Sequence, residues 1–445
     1  MVLVMISFIV NWWRSQRFKF ALKRGNIKLA IKLLQKIQES GAKLSWLEKL
    51  FREKQQCEQY SQQYKQEAQN LSIKLKESLN QLDCLDTQEV FDESVNFLKL
   101  DNDFIKFVYK TFNLIQHDEH KLQCTGIEQC IFEYLEFKLV EYLKEEFNKI
   151  PEKHLRIKLE DALEDINNLK GGQDPGYCLG LSPHVYFMKY FLENVYCLYL
   201  VWFLIYQAGL LPRKINILDI AAGPGTSAYG LALFLQSLSG FIDISQVHIS
   251  YYSLEKQDAF QFRGLQFWRK YIESQKNNIN INSYFRFVTK DIFTYDPDSS
   301  NIPKNFFDFI VISHCFFSQP LKRVEAHKIY KQIIDFSLRE SGYALLIIQD
   351  KKLFKFYNTY QVEDHYQETN LVSKFIGDLG LKLVWYKYLT STGLRTPLER
   401  NKFSQFAREH LPNQVYMSSL IQHYFNQNYD NNYKLDDYVI LARKK

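Results

Sequence analysis

The stretch INILDIAAGPGTSAYGLALFLQ, Ile215–Gln236, decides the fold. Ile215, Ile217, Leu218 and Ile220 read as a buried strand, and Asp219 stands near its carboxyl end. Gly223 and Gly225 bracket Pro224, so the chain turns tightly and a ligand can approach the backbone without meeting a Cβ. Thr226 or Ser227 can cap the apolar helix that follows. Strand, glycine turn and helix in this order form a loop that holds a nucleotide or a nucleoside. A phosphate-binding P-loop is excluded because no Gly-Lys-Ser/Thr follows, and the dinucleotide pattern G-x-G-x-x-G fails at Ala228. What remains is acid, hydrophobe, small, x, Gly, x, Gly.

Around this stretch the sequence alternates between strand-like and helix-like segments. INILDIAA, HISYYSLE, YFRFVTKDIF, FDFIVISHCFF, YALLIIQ, LKLVWYKYL and YVILARK read as strands. Helical patterns separate most of them, and the last two flank a long insertion, residues 390–437. Alternation of this length predicts an α/β fold: a doubly wound, mostly parallel, seven-stranded sheet with helices on both faces. In such sheets ligands bind beyond the carboxyl ends of the strands, near the point where strand order reverses.

Residues 1–170 read instead as helical throughout. NIKLAIKLLQKIQESG carries a broad apolar face and stops at Gly41, a long polar helix or coiled-coil arm follows Trp46, and IEQCIFEYLEFKLVEYLKEEF is amphipathic again. LKGGQDPGYCLGLSP, Leu169–Pro183, breaks the pattern with glycine and proline. The expected division is therefore an all-α N-terminal domain at 1–170 and an α/β domain at 171–445.

Charge follows the same division. Residues 1–60 hold twelve Lys/Arg against four acids, a net +8, which leaves the other 385 residues at −2. A basic helical N-terminus can meet RNA, an acidic protein or an anionic membrane, or be a solvated face. MVLVMISFIVNWW is too short to span a bilayer and lacks a signal-peptide cleavage site, yet residues 1–20 can touch a membrane surface weakly. VYCLYLVWFLIYQAGLL approaches spanning length but is rich in Tyr and precedes a strand, so it reads as a helix buried on the sheet. Seven scattered cysteines, without CxxC or Cys/His spacing, imply reduced thiols, a cytoplasmic setting and no structural metal. Thirty-five Phe, 29 Tyr and 6 Trp point first to an aromatic core.

Asp219–Thr226, DIAAGPGT, resembles motif I of the class I S-adenosylmethionine-dependent methyltransferases, and the element order from about Pro183 to Lys445 is similar to theirs. The resemblance implies S-adenosylmethionine as cofactor. It places Asp219 near the methionyl amino group, with Ala221, Gly223 and Gly225 passing close to the cofactor. It also makes Glu255, ending SYYSLE, the ligand of the ribose hydroxyls, and Asp291 the partner of the adenine amino group with Ile292 beside the ring. Two features depart from the family pattern: Ala221 replaces the usual first glycine, and SLSGFIDISQ lengthens the connection from Gly225 to Glu255.

The methyl acceptor is less legible. The fourth strand ends Ser313-His314-Cys315-Phe316, where an Asn/Asp-Pro-Pro-Tyr/Phe motif would mark an amino-nitrogen acceptor. Ser313 falls in the cofactor pocket by the same resemblance. His314 can serve as a general base or line the pocket passively, and Cys315 reads as a buried thiol. Arg395, Arg400 and Arg408 of the insertion can hold an anionic substrate or be solvated. The expectation is a methyltransferase acting on RNA, protein or a small molecule. The alternative is a non-catalytic binding or assembly factor, of the ribosome- or complex-assembly type, on the same fold.

Overall fold

The computed structural model describes residues 2–24, 26–40, 97–171, 175–177, 179–244, 247–273, 282–296, 302–426 and 431–445. The polar helix or coiled-coil arm expected after Trp46 lies outside them. The chain forms two units, Met1–Glu93 and Ser94–Lys445.

In the first unit, α1 (Val2–Lys23) and α2 (Ile27–Glu39) form a helical hairpin. Phe18 and Ala21 pack against Ala30, Leu33 and Leu34, the one apolar stripe that the two helices share.

The second unit is built on one nine-stranded mixed sheet. Seven strands match the segments expected: β3 (Lys214–Ile220), β4 (His248–Glu255), β5 (Asn282–Thr289), β6 (Phe307–Ser313), β7 (Leu338–Gln349), β8 (Leu381–Thr390) and β9 (Asp436–Lys444). Two more come from the region read as helical, β1 (Leu114–Gln116) and β2 (Lys121–Cys124). The order is β1-β2-β8-β9-β7-β6-β3-β4-β5. Strands β5, β4, β3, β6 and β7 are parallel neighbours, whereas β9 runs antiparallel between β7 and β8. The expectation of seven mostly parallel strands is thus corrected to nine mixed ones: a short hairpin extends the far edge, β2 lying parallel to β8. The five-strand half has the reversal of a doubly wound sheet: the chain runs from β3 to β4 and β5 on one side, then crosses to β6 and β7 on the other side of β3.

The boundary expected near residue 170 is corrected as well. Helices α3 (Asn102–Thr111), α4 (Gln129–Phe147) and α5 (Glu152–Asn167) belong to the sheet unit. Their apolar faces, including Phe104, Phe112, Phe132 and Leu139, join one core with α7 (Leu192–Gln207) and α8 (Thr226–Leu238). The part of the segment after residue 93 is therefore not a separate helical domain, because the buried faces of α3, α4 and α5 pack into the core of the sheet unit. The glycine-rich stretch falls inside the unit, a 3₁₀ turn, Asn168–Gly171, standing at its start. After it, α6 (Ser182–Tyr186) runs through one π-turn, Phe187–Phe191, into α7. Together these form one apolar helix, Ser182–Gln207, of membrane-spanning length, but most of it is buried in the fold. The aromatic core expected from composition is here: Trp202, Tyr196, Tyr199, Tyr206 and Tyr229 are all fully buried.

Four further helices complete the unit: α9 (Asp258–Tyr271), α10 (Pro320–Ser337), α11 (Asp350–Phe356) and α12 (His365–Asp378). The insertion contributes α13 (Arg400–His410) and α14 (Val415–Phe425). α14 packs toward α4, with the Met417 N–H donating to the buried Glu136 at 2.8 Å.

Candidate functional site

The residues singled out from the sequence meet at the carboxyl ends of β3, β4, β5 and β6, where the strand order reverses. Beyond β3 the chain makes three left-handed turns in five residues: Ala221 at φ 54°, Gly223 at 55° and Gly225 at 83°. Ala221 thus holds a left-handed backbone, in a region that costs an L-residue about 1–2 kcal/mol. The carbonyl of Leu254 holds it there, accepting the Ala221 N–H at 2.7 Å.

A side chain at Gly223 would project into open space, so the backbone here is bare. Below the loop the packing is tight: a Cβ on Gly264 of α9 would lie 2.2 Å from the Pro224 carbonyl oxygen. Tyr229 fixes the same junction, its hydroxyl donating to the Gly264 carbonyl at 2.8 Å. The loop is therefore clamped from beneath and open above.

Asp219 is buried, and its Oδ2 accepts the Tyr251 hydroxyl at 2.5 Å. Burial pushes its carboxyl up to about 7; the Tyr251 hydrogen bond opposes this and the Glu255 charge adds to it. Glu255 ends β4 and closes over the loop. Its Oε2 accepts the Gly223 N–H at 2.8 Å and its Oε1 the Gln257 N–H at 2.9 Å. Burial raises its carboxyl too, against the pull of these backbone donors. A carboxylate has about four lone-pair sites, so each oxygen keeps about one acceptor position for a further donor.

Asp291 caps a turn as well as lying near Glu255. Its Oδ1 accepts the Phe293 N–H at 3.1 Å and so caps the short 3₁₀ turn Ile292–Thr294, in which Ile292 is buried. Its Oδ2 lies 2.9 Å from the Nζ of Lys256, a partly exposed cation that sequence reasoning did not single out.

At the end of β6, His314 adopts φ 58°, uncommon for a bulky residue, with its N–H donated to the Ile347 carbonyl at 2.8 Å. Its Nε2 lies 3.0 Å from Oδ1 of Asp437, and its Nδ1 lies 3.0 Å from the Ser313 hydroxyl. A carboxylate only accepts, so in the neutral ring Nε2 carries the proton and Nδ1 accepts from Ser313. Asp437 enters from β9, 123 residues away in sequence, and was not foreseen. Tyr251 was also missed, though a tyrosine inside an otherwise buried strand four residues before Glu255 was a usable signal.

Cys315 is half-buried, its Sγ 3.4 Å from the Tyr330 hydroxyl. Arg395 is corrected outright: it is buried between Asp118 and Glu368, at 2.8 Å from each, and faces no substrate space. Arg400 and Arg408 are exposed on α13. Among the described residues, no group of three or more His, Cys, Asp or Glu side chains is arranged to hold a metal ion.

No family model matches the chain, and no curated protein matches it in sequence. Solved structures similar to it include a SAM-dependent methyltransferase from Methanosarcina mazei, at 14% identity and a TM-score of 0.30, covering 54% of this chain and 96% of that one. The fibrillarin pre-rRNA processing protein of Methanococcus jannaschii is similar at 13% identity and a TM-score of 0.28, over 52% of this chain and 67% of that one. A putative sarcosine dimethylglycine methyltransferase from Galdieria sulphuraria is similar at 14% identity and 0.29, over 55% and 83%.

Proposed function

We propose that this chain is an S-adenosylmethionine-dependent methyltransferase. One observation carries the reading: Glu255 is anchored on the N–H of Gly223, so the acid of the second strand end and the bare glycine loop form a single rigid cradle. Asp219 lies beneath it in a setting that lacks an internal cation partner. These residues fit the cofactor chemically. The remaining acceptor positions of Glu255 suit a ribose diol, which offers two hydroxyl donors. The carboxyl of Asp219 gains a counter-charge from a methionyl ammonium, directly or through water. The open space over Gly223 admits the ligand without a Cβ in its way. Asp291 and Ile292 border the adenine end, and Ala221 and Ser313 complete the lining.

When bound, S-adenosylmethionine supplies a sulfonium-activated methyl group. The chain's part is to align the acceptor and to take up its proton where it has one. Ser313, His314 and Asp437 are arranged for the second task. Asp437 holds the imidazole by Nε2 while Nδ1 accepts from the Ser313 hydroxyl, so a proton leaving the acceptor would reach His314 through Ser313. The strained φ of His314 is consistent with a residue fixed for use. This favours an acceptor that loses a proton, an N–H or O–H group on RNA, protein or a small molecule.

The test is ultraviolet cross-linking of methyl-labelled S-adenosylmethionine to the full chain. The expected result is label in peptides containing Asp219–Glu255, displaced by S-adenosylhomocysteine and not by NADH. A folded chain that takes no label, or label that NADH displaces equally, overturns the proposal and leaves the glycine loop as scaffold in a binding or assembly factor.

A further inference from the structure

The helical hairpin of the first unit carries features that methyl transfer does not use. Its described residues, 2–24 and 26–40, contain eight cations (Arg14, Arg17, Lys19, Lys23, Arg24, Lys28, Lys32 and Lys36) and one acid, Glu39. Lys28, Lys32 and Lys36 follow one another at i, i+4 and i+8 along α2 and are all exposed. Like charges at this spacing repel and weaken the helix that carries them, with no carboxylate placed between them to compensate. An external anion removes that penalty.

The exposed side of α1 is aromatic. Trp12, Trp13 and Phe20 are 58%, 54% and 55% exposed, although Phe18 and Ala21 satisfy the hairpin's own core. Arg17 stacks on the Trp13 ring at 4.7 Å and Arg24 on the Phe20 ring at 4.3 Å. The exposed stripe of α1 therefore alternates a flat ring and a guanidinium along its length. Val10 and Ile27 are exposed beside it. In sequence the first thirteen residues carry no side-chain charge, and the cations begin at Arg14.

We propose that the α1–α2 hairpin docks on an anionic lipid bilayer surface, with Trp12, Trp13 and Phe20 entering the headgroup region and the arginines and lysines facing lipid phosphates and carboxylates. Indole and guanidinium side by side match the amphipathic boundary between acyl chains and headgroups. Eight cations against one acid match a negatively charged leaflet. Nucleic acid shares the need for cations and rings. It gains nothing from Val10, Ile27 or an uncharged amino-terminal half, and these favour the bilayer. The proposal does not depend on cofactor binding and fails or stands separately from it.

Flotation of the full chain with vesicles tests it, at about 0.15 M salt so that only short-range electrostatics survive. Co-flotation is expected with phosphatidylcholine vesicles containing about 30% phosphatidylserine, and not with phosphatidylcholine alone. Trp12→Ala with Trp13→Ala is expected to weaken partition about tenfold or more. Lys28→Gln, Lys32→Gln and Lys36→Gln together should do the same at least about tenfold, by charge alone. All five side chains are exposed, so circular dichroism should be unchanged. No co-flotation with the anionic vesicles overturns the proposal, as does partition indifferent to the tryptophan pair. Saturable binding to a single-stranded RNA oligonucleotide without vesicle binding assigns the hairpin to nucleic acid instead.

Discussion

Two of the sheet unit's carboxylate clusters are treated in opposite ways. At the far edge, Arg395 meets Asp118 through Nη1 and Nη2 at 2.8 and 3.1 Å and Glu368 through Nε at 2.8 Å. The Tyr438 hydroxyl completes Glu368 at 2.8 Å. Burial pulls Asp118 upward, but the Arg395 hydrogen bond and the N–H groups of His120 and Lys121 outweigh it and hold the carboxyl well below the ordinary range. This cluster ties the β1–β2 turn, α12 and the insertion into one piece. At the strand ends, by contrast, Asp219 and Glu255 have neutral partners, a phenol and backbone N–H groups, and both are raised. Acids neutralised from within are structural. Acids left with neutral partners are where a cationic or hydroxyl-rich ligand gains most; Glu136, pushed up to about 7 in the packing of α14 on α4, shows that the bare glycine loop beside the acid is needed as well to mark a site.

The contrast breaks hardest at Arg395. Arg395→Met leaves two carboxylates without their cation, and urea unfolding should show a loss of about 3–5 kcal/mol. A loss no greater than that of an exposed arginine would mean that the cluster is not what joins the edge hairpin to the sheet.

Asp219→Asn should act in the other direction. Burial pushes the folded carboxyl up to about 7, while an aspartate in the unfolded chain keeps its ordinary value of 3.8. The folded state thus holds the proton more tightly, and wild-type stability that is present below the lower value is lost as pH rises through the upper one. The asparagine variant has no such loss. It is expected to match wild type near pH 4 and to exceed it by up to about 4 kcal/mol at pH 8. Unfolding curves at both pH values decide, and a variant weaker than wild type at pH 8 would place an unrecognised cation beside Asp219.

Smaller effects sharpen the picture of the loop. Gly264→Ala drives a Cβ against the Pro224 carbonyl and should cost about 1–3 kcal/mol, with the amide resonances of Gly223 and Gly225 displaced. Ala221→Gly relieves a left-handed alanine but frees the unfolded chain, so a gain of no more than about 1 kcal/mol is expected in thermal unfolding. A clear loss there would show that the Ala221 methyl packs usefully.

Much of this was legible from sequence wherever a signal was local. Strands β3 to β9 announced themselves as apolar runs between turns, and Asp219, Glu255, Asp291 and His314 as polar residues at the ends of those runs. The edge hairpin was not legible, because three and four residues, LIQ and KLQC, are too few to show alternation inside a helical context. The domain boundary misled for a related reason: glycine and proline mark a loop equally well within a unit or between two. The partners that give the site its electrostatics, Tyr251 for Asp219 and Asp437 for His314, are set by strand order. Pairing β3 with β4 and placing β9 beside β7 brings them in, and no local pattern encodes that.

The measurement that tests the central claim most directly is calorimetric titration of S-adenosylhomocysteine into the full chain and into Glu255→Ala and Asp219→Asn, at pH 6 in two buffers of different ionisation enthalpy. The account predicts micromolar binding that Glu255→Ala abolishes. It also predicts release of up to about one proton per site in wild type, as the ligand's ammonium draws the proton from Asp219, and none in Asp219→Asn. Absence of binding by the folded wild-type chain, or equal affinity in all three proteins, would contradict it.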